Sequence, residues 1–138
     1  MSFAPNSSED VTKAIGESSK SPDFPFVCIC FYHNELPPSL FTAQLFSKFR
    51  TNFSPETVGR IFIIDIAKNT DLASKYGIFA SPSVVLVWKG SALLIRRPGW
   101  DDAEIIVGCL KEDEWLSTLR FVAALPKQEE RKFLSVSF

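Results

Sequence analysis

Few side chains in this sequence are placed to do chemistry. Three cysteines, Cys28, Cys30 and Cys109, and one histidine, His33, are the first candidates. Cys28 and Cys30 lie two apart in the run Phe26-Val27-Cys28-Ile29-Cys30-Phe31-Tyr32. Residues two apart on a strand share a face, a geometry that opposes bridging. Apolar surroundings raise a thiol pKa and lower its reactivity. Both are therefore read as small core residues. Cys109 has no visible partner, and the three form neither a C-x-x-C pair nor a Cys/His ligand set. His33 stands alone, without a nearby nucleophile or second ligand, so it is read as a structural or surface-contact residue. Arg96 and Arg97 suggest an anion patch, but neighbours on a strand face opposite ways, and a solvated edge is preferred. Asp101, Asp102 and Glu104 lack the ligand spacing of a calcium loop and are read as a polar loop. The acidic run from Glu112 to Glu114 suits a helix N-terminus. No metal, cofactor or catalytic set is expected from these residues.

The elements that would position them follow from periodicity. Ser7-Ser8-Glu9-Asp10 starts a short helix carrying Val11, Ala14 and Ile15. Residues 18–25 form a loop. The 26–32 run is a strand buried on both faces. Pro37-Pro38 opens a helix with Leu40, Phe41, Leu45, Phe46, Phe49 and Phe53 as its apolar face. Arg60 to Ile66 is a second strand, and Thr70 to Tyr76 a short helix closed by Gly77. Ser83 to Lys89 and Ala92 to Arg97 form a hairpin around Gly90-Ser91. A last helix runs from about Glu112 to Leu125, with Trp115, Leu119 and Val122 inward, and Pro126 stops it. Residues 1–126 form one domain. Residues 127–138 are a tail that orders on a partner or frays.

Composition agrees with a single folded unit. The chain has 138 residues, 46% apolar, with 13 phenylalanines and a net charge of −1. That is long enough for a core without disulfides or metals. The weak charge offers no field for a phosphate backbone, so direct nucleic-acid binding is not expected. No stretch is long enough to span a bilayer, and the polar residues 1–20 do not read as a signal peptide. A reducing compartment is expected.

The order α-β-α-β-α-β-β-α resembles the thioredoxin layout: a mixed four-stranded sheet, with two β-α-β passages making a parallel core and a closing antiparallel hairpin. Ile78 to Val87, with Ser81-Pro82, is similar to the thioredoxin segment that carries a cis-proline, so Ser81-Pro82 is predicted cis. Over the thioredoxin Trp-Cys-x-x-Cys motif lie Glu35-Leu36-Pro37-Pro38-Ser39. Leu36 replaces the attacking cysteine and Ser39 the resolving one, while Cys30 replaces the buried aspartate. Redox turnover is therefore not expected.

A narrower likeness rests on three segments. Met1-Ser2-Phe3 is followed by Asp10-Val11-Thr12-Lys13-Ala14-Ile15. Phe31-Tyr32-His33-Asn34-Glu35-Leu36-Pro37 is similar to Phe-Gly-His-Asp-x-Asp-Pro. Ile64-Asp65-Ile66, Asp71, Tyr76 and Ser81-Pro82-Ser83 keep ungapped spacing. Through them, residues 1–125 resemble the Dim family, the small thioredoxin-like proteins of the spliceosomal U-five snRNP, as a divergent member. One branch of that family carries a disulfide whose positions here are Ser39 and Pro82. Its basic C-terminal segment is replaced by Leu125 to Glu130. The resemblance implies a nuclear protein of pre-mRNA splicing, held by larger proteins of the tri-snRNP, without turnover or cofactor.

The leading expectation is thus a non-catalytic adaptor. Its degenerate active-site region is Tyr32, His33, Asn34, Glu35, Leu36, Pro37 and Ser39, with Pro82 structural. Candidate partner contacts are Trp100, Arg96, Arg97, Phe133 and Phe138. Trp100 is either an exposed anchor or a ring folded over the core. The alternatives are a thiol redox protein or sensor using Cys28, Cys30 or Cys109, and a redox-dead thioredoxin-like assembly factor outside splicing.

Overall fold

The computed structural model describes residues 3–20 and 23–138. Met1, Ser2, Ser21 and Pro22 lie outside the described residues, and with them the Met-Ser opening and part of the expected 18–25 loop, whose residues 18–20 are instead the last turn of α1. The elements are α1 (Ser8–Lys20), β1 (Phe26–Tyr32), α2 (Pro37–Asn52), α3 (Pro55–Val58), β2 (Arg60–Asp65), α4 (Thr70–Lys75), β3 (Ser83–Trp88), β4 (Ser91–Ala92), β5 (Leu94–Arg96), β6 (Ile106–Val107), α5 (Glu112–Ala123) and β7 (Phe133–Ser135). A 3-10 turn, Ile66–Lys68, links β2 to α4.

Strand β1 sits at the centre because every one of its residues is buried, as its unbroken apolar run requires. Its alternate side chains feed two cores. Cys28 and Cys30 face Phe46, Phe49, Trp115 and Leu119 of α2 and α5. Val27, Ile29 and Phe31 face Val11, Ala14, Leu72 and Ala73 of α1 and α4. Helices thus cover both faces, the expected thioredoxin-like arrangement.

The sheet departs from the expected one in three respects. First, only β1 and β2 are parallel, with Cys28 opposite Ile61; β3 runs antiparallel to β1, with Cys28 opposite Leu86. A parallel return needs a crossover as long as the strand. The 16 residues of α2 span about 24 Å, whereas the six of α4 cover only about 9 Å. Second, the sheet has five strands in the order β2-β1-β3-β4, with β6 also on β3. The expected fourth strand, Ala92 to Arg97, is split: Leu93 N–H donates to Leu86 O, while Leu94 N–H donates to Lys132 O. Third, the 127–138 tail is not a free end. Its strand β7 lies parallel to β5 in a separate two-stranded sheet, Ile95 opposite Leu134, with the Leu134 side chain buried.

The expected apolar face of α2 is also narrower. Ser39, Thr42, Ala43, Leu45, Phe46 and Phe49 are buried, whereas Phe41 is 65% exposed. The buried side chains recur three and four residues apart, and Phe41 falls off that stripe. Ser81-Pro82 is cis, as predicted.

Candidate functional site

The turn between β1 and α2 is tied by its own polar groups. Leu36 N–H donates to His33 O, closing the turn at 3.1 Å. His33 N–H donates to Ser39 Oγ at 2.6 Å, and Glu35 N–H donates to His33 Nδ1 at 3.2 Å. Ser39 is fully buried, so its hydroxyl is an internal strut. Tyr32 closes the strand end, with Phe3 packed edge-on against it at 5.4 Å. Burial pushes the Tyr32 phenol up, and the Asp65 charge adds to this.

Leu36 stands at the N-cap of α2 with nearly half its surface exposed and extended backbone. It offers a hydrocarbon where an anion-stabilising helix start would place a reactive group. The first turn is also poor in free amides. Pro37 and Pro38 have none, and Leu40 N–H is taken by Leu36 O at 3.0 Å. Asn34, Glu35 and Pro37 are exposed around this turn.

The structure brings Cys109 to this place, which its sequence position did not reveal. The thiol donates to Pro38 O at 3.7 Å and accepts from Thr42 Oγ1 at 3.8 Å. The neighbouring Gly108 N–H donates to Pro82 O at 3.0 Å. Strand β6, paired to Ser83 and Val84, sets this position. The β-branched run Ile105-Ile106-Val107 was the signal for it. Cys109 is exposed, whereas Cys28 and Cys30 are fully buried and their thiols are pushed far up, chiefly by burial. Among the described residues no group of His, Cys, Asp and Glu could hold a metal ion.

Apolar side chains stand out from the segments that frame the turn. They are Leu36, Phe41 and Phe79, the last 76% exposed in the loop before Pro82. Phe79 was not singled out by the sequence.

The five expected partner contacts fall into two groups, Arg96 with Phe133 and Arg97 with Trp100 and Phe138, and the tail takes part in both. The Arg96 guanidinium lies 4.1 Å from the Phe133 ring centre, and its Nε pairs with Asp102 at 3.3 Å. Arg97 lies 4.6 Å from the Trp100 ring and 5.8 Å from that of Phe138. It also donates to Phe138 O at 3.1 Å and Val107 O at 2.9 Å. Arg97 is therefore half-buried and held by two backbone carbonyls, which corrects its reading as part of a solvated edge. Trp100 is not folded over the core; half its surface is exposed.

The chain matches no protein-family model and no curated protein at the sequence level. Solved structures do resemble it. Thioredoxin of Schistosoma mansoni is 15% identical with a TM-score of 0.60, over 86% of this chain and 91% of that one. Chloroplastic thioredoxin z is 20% identical with a TM-score of 0.60, over 90% and 98%. A mutant thioredoxin of Halobacterium salinarum is 22% identical with a TM-score of 0.57, over 75% and 80%. The fold is thus thioredoxin-like. No helix among the described residues is long and apolar enough to cross a membrane.

Proposed function

We propose that this chain is a non-catalytic, thioredoxin-like binding module of the nuclear pre-mRNA splicing machinery, held by larger proteins of the tri-snRNP. The observation that carries the non-catalytic reading is Leu36 at the head of α2, backed by a buried Ser39. Disulfide exchange needs a thiolate to attack and a second thiol to resolve the mixed disulfide. Neither position supplies sulfur. What the chain offers instead is exposed apolar side chains, Leu36 at the turn, Phe41 on α2 and Phe79 before Pro82, of the kind that mark protein contacts.

The splicing assignment rests on the likeness of the His33 turn, the α1 residues and the Ser81-Pro82-Ser83 segment to the Dim family. Two measurements test the two parts. The purified chain should reduce insulin disulfides no faster than buffer; turnover would remove the non-catalytic reading. A tagged chain purified at low salt should recover tri-snRNP proteins and U-five RNA by mass spectrometry and sequencing. Recovery of neither would remove the splicing reading and leave an assembly factor elsewhere.

A further inference from the structure

Strand β7 uses only one of its two edges. Leu94 N–H donates to Lys132 O at 2.8 Å, and Val136 N–H donates to Arg96 O at 2.9 Å. In a strand, successive residues direct their backbone groups to opposite sides. Lys132, Leu134 and Val136 therefore face β5, and the amides and carbonyls of Phe133, Ser135 and Ser137 face outward. Among the described residues β7 pairs with no strand but β5.

A groove of about 660 Å³ follows this outer edge. Residues 134–138 line one wall without a gap. Leu134 and Ser135 belong to β7, and residues 136–138 continue past its end, with Val136 N–H still bonded to Arg96 O. Helix α5 forms the other wall through Asp113, Glu114, Ser117 and the half-exposed Phe121. The groove is electrically polar. Arg131 lies 5.7 Å from the Phe121 ring at one end, and Asp113 and Glu114 lie with Phe138 toward the other.

We propose that this groove takes an extended peptide of a partner protein, added as a strand to the outer edge of β7. Its apolar side chains would meet Phe121 and Val136, and a lysine or arginine would lie at the end beside Asp113 and Glu114. Unpaired backbone groups call for a strand, and the acidic end calls for a basic terminus. A second copy fits less well, because α5 underlies the free edge and a two-fold mate would bring its own α5 into that space. The inference stands on this edge alone and does not depend on the splicing reading.

The test is a titration of the isotope-labelled full chain with two capped peptides, Lys-Val-Thr-Val-Thr-Val and Val-Thr-Val-Thr-Val-Lys, which cover both strand directions. One of them should shift the Phe133, Ser135 and Ser137 amides and slow their hydrogen exchange more than those of Leu134 and Val136. Replacing its Lys by Glu should weaken binding by about fivefold or more. Ser135→Pro removes an outward N–H and leaves the β5-facing groups in place. It should weaken binding by about tenfold or more while unfolding at the same denaturant concentration as the parent. Asp113→Asn, away from the strand pairing, should weaken the Lys-bearing peptide and strengthen the Glu-bearing one, because it removes an attraction from the first and a repulsion from the second. No shift up to millimolar peptide, equal binding of the Lys and Glu forms, or full binding by a folded Ser135→Pro chain would overturn the proposal. So would self-association through this edge without peptide.

Discussion

Cys28 and Cys30 share one face of β1 under α2 and α5, and burial there holds both thiols neutral. Cys109 is exposed beside Pro38. A thiol reagent should therefore modify one cysteine in the native chain and all three only after unfolding, with mass spectrometry placing the first adduct on Cys109. The same burial sets a pH dependence. The folded-state pKa values of Cys28 and Cys30 are raised, so above the unfolded value of about 8.5 the native state keeps protons that the unfolded state loses. Stability from these two thiols is complete below that pH and declines as pH rises, by about 1.4 kcal/mol per unit for each thiol. Urea unfolding between about pH 8 and pH 10 should show this decline, and Cys28→Ala with Cys30→Ala should flatten it. Ser39→Ala removes the acceptor for His33 N–H and should cost about 1–3 kcal/mol in the same assay. At this scale the sequence was legible wherever chemistry depends on side-chain type alone, as at Leu36 and Ser39. It was silent on where Cys109 lies, because that depends on a two-residue strand whose pairing is long-range.

Among the elements, legibility followed length. Strand β1, α2 and α5 carry long apolar patterns, and each was readable in place. Phe46 on α2 meets Phe49 at 5.6 Å and Trp115 of α5 at 5.1 Å, edge to face. Phe46→Ala should cost about 3–5 kcal/mol by chemical denaturation, whereas Phe41→Ala should change stability by less than about 1 kcal/mol. Residues 92–97 read as one strand in the sequence because periodicity reports which side chains are apolar, not which neighbour the backbone pairs with. Leu93 and Ile95 are both buried, yet the backbone changes partner between residues 93 and 94. The tail was read as loose for the same reason, since its alternation over 133–138 is too brief to show without β5 beside it. Leu134→Ala should cost about 2–5 kcal/mol, a loss that an unattached tail could not produce.

For the whole molecule, two surfaces stand apart. One is made by the exposed apolar side chains Leu36, Phe41 and Phe79, carried by the β1–α2 turn, α2 and the loop before Pro82; the other is the β7 edge with its α5 wall. Substitution of Phe79 by Ser should remove recovered partners in affinity purification if the first surface is the one engaged, with no change in unfolding midpoint. The return of residues 132–136 to β5 also has a kinetic consequence. Leu94 waits for a neighbour made only after α5 is complete, so on the ribosome the nascent chain carries an unfinished flank until residues 132–136 have emerged. Closing so long a loop costs entropy before any contact repays it. Leu134→Ala should therefore hasten unfolding in stopped-flow measurements and leave the refolding rate nearly unaltered, the mark of a seam sealed after the barrier has been crossed.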